Sequence, residues 1–218
     1  MRTIFLDKDG TLIEDVPHNV NPALLTLTWQ AGQGLQLLKQ LGYALIVVTN
    51  QSGIAHGLFT ETALTPVQRR LGELLVQYGV ALDGFYYCPH APDGIINRYA
   101  IRCTCRKPMP GMLLRAAREH DIDLADSWMI GDILNDVEAG RRAGCRTVLI
   151  DNGNETEWVM SPLRKPHLRA SDLYMAATMI AAADHAASVE RDNRTKRIER
   201  IERLERARIP LRGESACP

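Results

Sequence analysis

The chain has 218 residues, is 45% hydrophobic and carries no formal net charge, Lys plus Arg equalling Asp plus Glu. That length suits one core of ordinary size, and the charge balance argues against nucleic acid or an anionic membrane as the main partner. No run reaches the roughly eighteen apolar residues of a membrane span, and the opening "MRTIFLDKDGT" does not read as a signal peptide. A cytoplasmic location is the expectation.

In chain order, "TIFL" (3–6) reads as a strand. "GLQLLKQLG" (34–42) reads as a helix with Leu35, Leu38 and Leu41 on one stripe. "YALIVVT" (43–49) is a buried strand rich in β-branched residues. A helix follows over 61–79, ending at Gly79, then the strand "GFYYC" (84–88) and a helix over 111–120. "SWMIG" (127–131) and "RTVLI" (146–150) are strands flanking a helix over 134–143 that Gly144 stops; a last helix covers 172–184. This alternation predicts an α/β fold, a Rossmann-like three-layer sandwich with a mostly parallel sheet. The core domain is expected over 1–185. Residues 186–218 form a charged tail, helical by its composition, with Ile198, Ile201 and Leu204 on a three-residue beat. It reads as a solvated helix, or alternatively as a partner-binding one.

Open parallel sheets place sites beyond the carboxyl ends of their strands, and polar residues gather there. Asp7 and Asp9 follow the first strand, Thr49 and Asn50 end the second, Lys107 precedes a helix, and "GDILND" places Asp132 and Asp136 after a later strand. Each alone also reads as a turn or a helix cap. Their recurrence at successive strand ends is harder to assign to turns. Between them, "CPHAPDGIINRYAIRCTCRKP" (88–108) concentrates Cys88, His90, Cys103 and Cys105 just before Arg106 and Lys107. Three thiols and one imidazole make a common composition for closed structural zinc, although the spacings are tighter than usual knuckles. Reduced buried thiols or a Cys103–Cys105 disulfide are the other readings. Cys145 and Cys217 receive no role.

The segments "DKDGT", "TNQSG", "RKP" and "GDILND" resemble the four motifs of the haloacid dehalogenase superfamily of phosphatases. The closer resemblance, over about residues 3–184, is to the D-glycero-D-manno-heptose 1,7-bisphosphate phosphatases, with "CPH…C-x-C-RKP" the most specific stretch. This resemblance implies the haloacid dehalogenase fold without a large cap domain. It makes Asp7 the nucleophile and Asp9 the general acid and base. Magnesium would be held by Asp7, the backbone carbonyl of Asp9 and Asp132. Lys107 and Thr49 would bind phosphoryl oxygens, and Asp136 would stand behind them, orienting Lys107 or a metal-bound water. Asn50 and Arg106 would contact substrate, and Cys88, His90, Cys103 and Cys105 would hold structural zinc. Two positions depart from the family: Ile133 where a basic residue is common, and His56 where Arg is frequent. Both bear on the substrate more than on the reaction.

The expected activity is hydrolysis of the C7 phosphate of heptose 1,7-bisphosphate through an aspartyl-phosphate, in heptose-nucleotide synthesis for lipopolysaccharide or other surface glycans. Histidinol phosphate is the alternative substrate, and a non-catalytic zinc-stapled module the alternative of another class. The expected partner is a small phosphorylated sugar, without nucleic acid or membrane, and the expected state a monomer.

Overall fold

The computed structural model describes residues 1–207. Its elements are β1 (Thr3–Leu6), α1 (Ala31–Gln40), β2 (Ala44–Asn50), α2 (Leu64–Val76), β3 (Gly84–Cys88), α3 (Gly111–His120), β4 (Trp128–Gly131), α4 (Leu134–Ala143), β5 (Arg146–Ile150), β6 (Leu168–Ala170) and α5 (Leu173–Ala207). All six strands pair in parallel, in the order β3-β2-β1-β4-β5-β6. Their apolar runs follow from burial on both faces. On one face Phe5, Ile46, Val48, Tyr86 and Met129 pack with Met112, Leu113 and Ala116 of α3 and Ala139 and Ala143 of α4. The alternating Ile4, Leu6, Leu45, Val47 and Ile130 are buried as well. Helices α1 and α2 bury their own stripes, Leu35 and Leu38 on the first and Leu64, Val67, Leu71 and Leu75 on the second.

Helix ends follow local chemistry. Gly144 closes α4 at φ +90°, a left-handed conformation that costs glycine nothing. The helix expected from residue 61 begins with a short 3-10 turn at Glu61–Ala63 and becomes α-helical at Leu64. Strand β6 went unanticipated because it is three residues long, carries an arginine and follows a proline. At the other end of the chain, α5 runs to Ala207. The chain divides into two compact units, Met1–Met179 and the part from Ile180 onward. In the second, Ile198 and Ile201 are each about half exposed. The side chain of Leu204 and all of 208–218, with Cys217, lie outside the described residues. No helix among those described is long and apolar enough to cross a membrane.

For the site, strand order matters most. Successive strands build outward from β1 through β2 to β3, then restart on its other side with β4. The crevice beyond the carboxyl ends of β1, β2 and β4 is this reversal point, where open α/β sheets take ligands.

Candidate active site

Asp7 is the first residue past β1, and its N–H donates to Ile130 O at 2.9 Å, tying the end of β1 to β4. Lys107 reaches it from the loop before α3. The Lys107 ammonium lies 2.7 Å from Asp7 Oδ1 and 2.6 Å from Asp136 Oδ1, and donates to Val48 O at 3.0 Å. Burial pulls the Lys107 pKa down, but the two carboxylates outweigh it and hold the ammonium charged, with its pKa raised. Asp136 is fully buried in the first turn of α4, and burial pushes its pKa up against the pull of Lys107. Gly131 makes this approach possible, since a Cβ there would lie 2.3 Å from the Asp136 side chain.

Asp132 accepts from Thr11 Oγ1 and from Asn154 Nδ2, each at 2.8 Å. Burial first, then the charge of Asp7, raises its pKa to about 6. One oxygen from each of Asp7, Asp132 and Asp136 falls within 4.8 Å of the others. Three carboxylates around one ammonium leave an excess of two negative charges, which is the charge of one divalent cation. The donors are all oxygens, the preference of magnesium. The residues present therefore fit such an ion.

Asp9 is less enclosed. Lys8 Nζ donates to its Oδ1 at 2.6 Å and Gln51 Nε2 to its Oδ2 at 3.1 Å, while the same amide nitrogen reaches Thr49 Oγ1 at 2.9 Å. Burial raises the Asp9 pKa despite the nearby Lys8 charge. A carboxyl that holds its proton more readily than usual is suited to giving one up to a leaving group.

A cavity of about 300 Å³ opens over these groups, lined by Asp7, Asp9, Thr49, Arg106, Lys107 and Asp132, among others. Asn50 also lines it, but its amide is engaged with the Lys107 backbone: Lys107 N donates to Asn50 Oδ1 at 3.0 Å, and Asn50 Nδ2 donates to Lys107 O at 3.2 Å. The structure thus places Asn50 as a clamp on the lysine. Lys8, Gln51, Thr11 and Asn154 escaped the sequence reading. The first three sit within the motifs, whereas nothing in the sequence marks Asn154, 22 residues beyond Asp132 in a loop. Ile133 lines the same cavity. His56 instead stands edge-on to His18 at 6.4 Å between ring centroids.

The Cys88, His90, Cys103 and Cys105 ligand atoms form a second cluster, again within 4.8 Å of one another. The Cys105 sulfur is 3.1 Å from that of Cys88 and 3.3 Å from that of Cys103, and His90 Nδ1 lies 3.3 Å from Cys105. Four ligands about 2.3 Å from a tetrahedral centre span edges of about 3.8 Å, so a small expansion would fit zinc. All three cysteines are free of disulfides. Arg106 is tied to this cluster at both ends: its N–H donates to Cys103 Sγ at 3.3 Å and its Nη1 to His90 O at 3.1 Å. Farther along the loop, Ile95 and Ile96 donate to Ala55 O at 2.9 Å each, and Tyr99 bonds Glu61.

A parallel sheet with this strand order and a buried Asp–Lys–Asp centre at its reversal point defines a haloacid dehalogenase-like hydrolase, and residues 104–176 match the family model described as "HAD-hyrolase-like". The chain belongs to the D-glycero-β-D-manno-heptose-1,7-bisphosphate 7-phosphatase family, and so to the phosphoric monoester hydrolases. It is 40% identical over 171 residues to the protein of that name from Yersinia pestis, covering 73% of this chain and 90% of that one. Against the Escherichia coli K12 protein the identity is 41%, with 73% and 88% covered. The crystal structure of D,D-heptose 1,7-bisphosphate phosphatase from B. bronchiseptica, complexed with magnesium and phosphate, superposes with a TM-score of 0.73 at 32% identity. The match covers 84% of this chain and 99% of that one.

Proposed function

We propose that this chain removes the C7 phosphate of D-glycero-β-D-manno-heptose 1,7-bisphosphate through an aspartyl-phosphate formed on Asp7. The observation that carries this reading is the buried group of Asp7, Asp132, Asp136 and Lys107 at the strand ends, in a chain so similar to phosphatases of that name. Asp7 attacks phosphorus with the carboxylate oxygen not held by Lys107. The bond from phosphorus to the sugar oxygen breaks, and Asp9 protonates that oxygen as it leaves. Water then attacks the phosphorus of the aspartyl-phosphate, Asp9 takes its proton, and inorganic phosphate departs with Asp7 restored. Thr49 holds a phosphoryl oxygen while the Lys107 ammonium places its charge beside the phosphoryl group, Asp136 and Asn50 hold Lys107, and Arg106 faces the rest of the substrate. Magnesium bound by Asp7, Asp132 and the backbone carbonyl of Asp9 would supply fixed positive charge opposite the phosphoryl oxygens.

Cys88, His90, Cys103 and Cys105 fill four coordination positions, so zinc there leaves none open for water and is structural in this reading. The enzyme acts as a cytoplasmic monomer on a step toward nucleotide-activated heptose. The test is phosphate release from the heptose bisphosphate with magnesium present, with the remaining phosphate located by ³¹P NMR. Release from C7, at a kcat/KM above that for histidinol phosphate, is expected; a higher value for histidinol phosphate would overturn the assignment.

A further inference from the structure

Negative charge crowds the active-site cavity. Asp7, Asp9, Asp15 and Asp132 line it, against the cations Lys107 and Arg106. Lys107 is committed to two carboxylates and a carbonyl, and one arm of Arg106 to His90 O. A substrate carrying a second phosphate or several hydroxyls needs further donors, and Ile133 on the wall offers none. Two residues on, Asn135 lines the same cavity. Arg164 Nη2 donates to its side-chain oxygen at 3.0 Å. Because a guanidinium only donates, this contact fixes the amide orientation: the oxygen faces Arg164 and the NH₂ is left over. That NH₂ makes no hydrogen bond to the protein among the described residues. Arg164 is itself held, its Nε at 2.7 Å from Glu138 Oε2, while Arg142 occupies the other oxygen of Glu138 at 2.6 Å. Glu138 is buried, and its two arginines lower its pKa against the effect of burial.

We infer that Asn135 is a specificity-determining residue whose amide NH₂ donates to the part of the substrate that is not transferred, and that Arg164 is the residue positioning it. This rests on the phosphatase reading above and names one contact that selects its substrate. The probes are heptose 1,7-bisphosphate and para-nitrophenyl phosphate, which has no second polar end. In Asn135→Asp the oxygen facing Arg164 remains, but the donor becomes a second negative oxygen. The ratio of kcat/KM for the bisphosphate to that for the aryl phosphate is expected to fall at least about tenfold, mainly through KM, as suits a lost hydrogen bond to a charged group. Asn135→Ala should move it the same way, and adding Ile133→Lys to Asn135→Ala should return at least half of the loss by supplying a donor from the same wall. Arg164→Gln should raise KM for the bisphosphate with little change in kcat. A ratio within twofold of the wild type in both Asn135 variants, or an equal loss on both substrates, would overturn the inference. If the wild type fails on the heptose bisphosphate, the proposed function falls instead, and the same ratios are measured with the best ester from a panel of phosphorylated sugars and polyols.

Discussion

Lys107 works with so little freedom because its partners come from three separate elements of the fold. Asp7 comes from β1, Val48 O and Asn50 from β2, and Asp136 from the first turn of α4 after β4. Replacing Asp7 by Asn removes the nucleophile at nearly constant volume. Turnover should fall by a factor on the order of 10⁴ or more, as when other enzymes lose their nucleophile, while circular dichroism and cooperative unfolding are retained. More than a few per cent of wild-type activity would exclude the covalent route. The second sensitive position carries no chemistry. In Gly131→Ala the new Cβ would sit 2.3 Å from Asp136, so strand and helix must separate. Overpacking of this kind costs about 1–3 kcal/mol, readable as a shifted urea midpoint. A displacement of about 1 Å at Lys107 should lower kcat on the order of 100-fold.

The element with the most to explain is the segment between β3 and α3, which has no helix or strand of its own. It is held at three places: the Cys/His cluster at its base, Ala55 O beneath its middle, and Glu61 bonded to Tyr87 and Tyr99. The base lies next to Arg106, so the cluster controls where Arg106 and Lys107 emerge. Cys105→Ser should therefore lose zinc by elemental analysis and lower kcat/KM sharply, with magnesium affinity little changed, because Asp7 and Asp132 stand on other strand ends. A zinc-free Cys105→Ser enzyme with normal kinetics would reduce the metal to fastening a peripheral loop. Cys145 is the control. It is buried beside the core, burial pushes its thiol up to about 12, and Cys145→Ser should keep its zinc. In the native protein at pH 8 this thiol should resist maleimide, as peptide mapping would show.

At the scale of the whole molecule, the clustered carboxylates of Asp7, Asp132 and Asp136 repel one another, so the site opposes folding when no cation balances them. Magnesium should then stabilise the protein. At a concentration about 100-fold above its Kd the gain from mass action alone is about 2.7 kcal/mol, seen as a rise in the unfolding temperature. Asp132→Asn should abolish that rise, and in EDTA it should be the more stable protein, because burial no longer opposes a charge at residue 132. An Asp132→Asn protein that still responds to magnesium would move the ion elsewhere.

Much of this was legible in the residues. Apolar runs of four to seven residues alternating with amphipathic stretches can bury themselves only between helical layers, so β1 to β5 and α1 to α4 were readable from periodicity. The acidic and basic residues at their ends were readable because a parallel sheet directs those ends to one rim. What the sequence could not decide was which polar group spends its hydrogen bonds on the protein and which keeps them for a ligand. Asn50 and Asn135 look alike as letters within motifs, yet the first is closed by the Lys107 backbone and the second is turned outward by an arginine 29 residues away. Strand β6, too short and polar to show a period, forms because β5 offers an edge. Periodicity is a local property carried along the chain. The direction of an amide is set by partners that only the folded sheet brings within 3 Å.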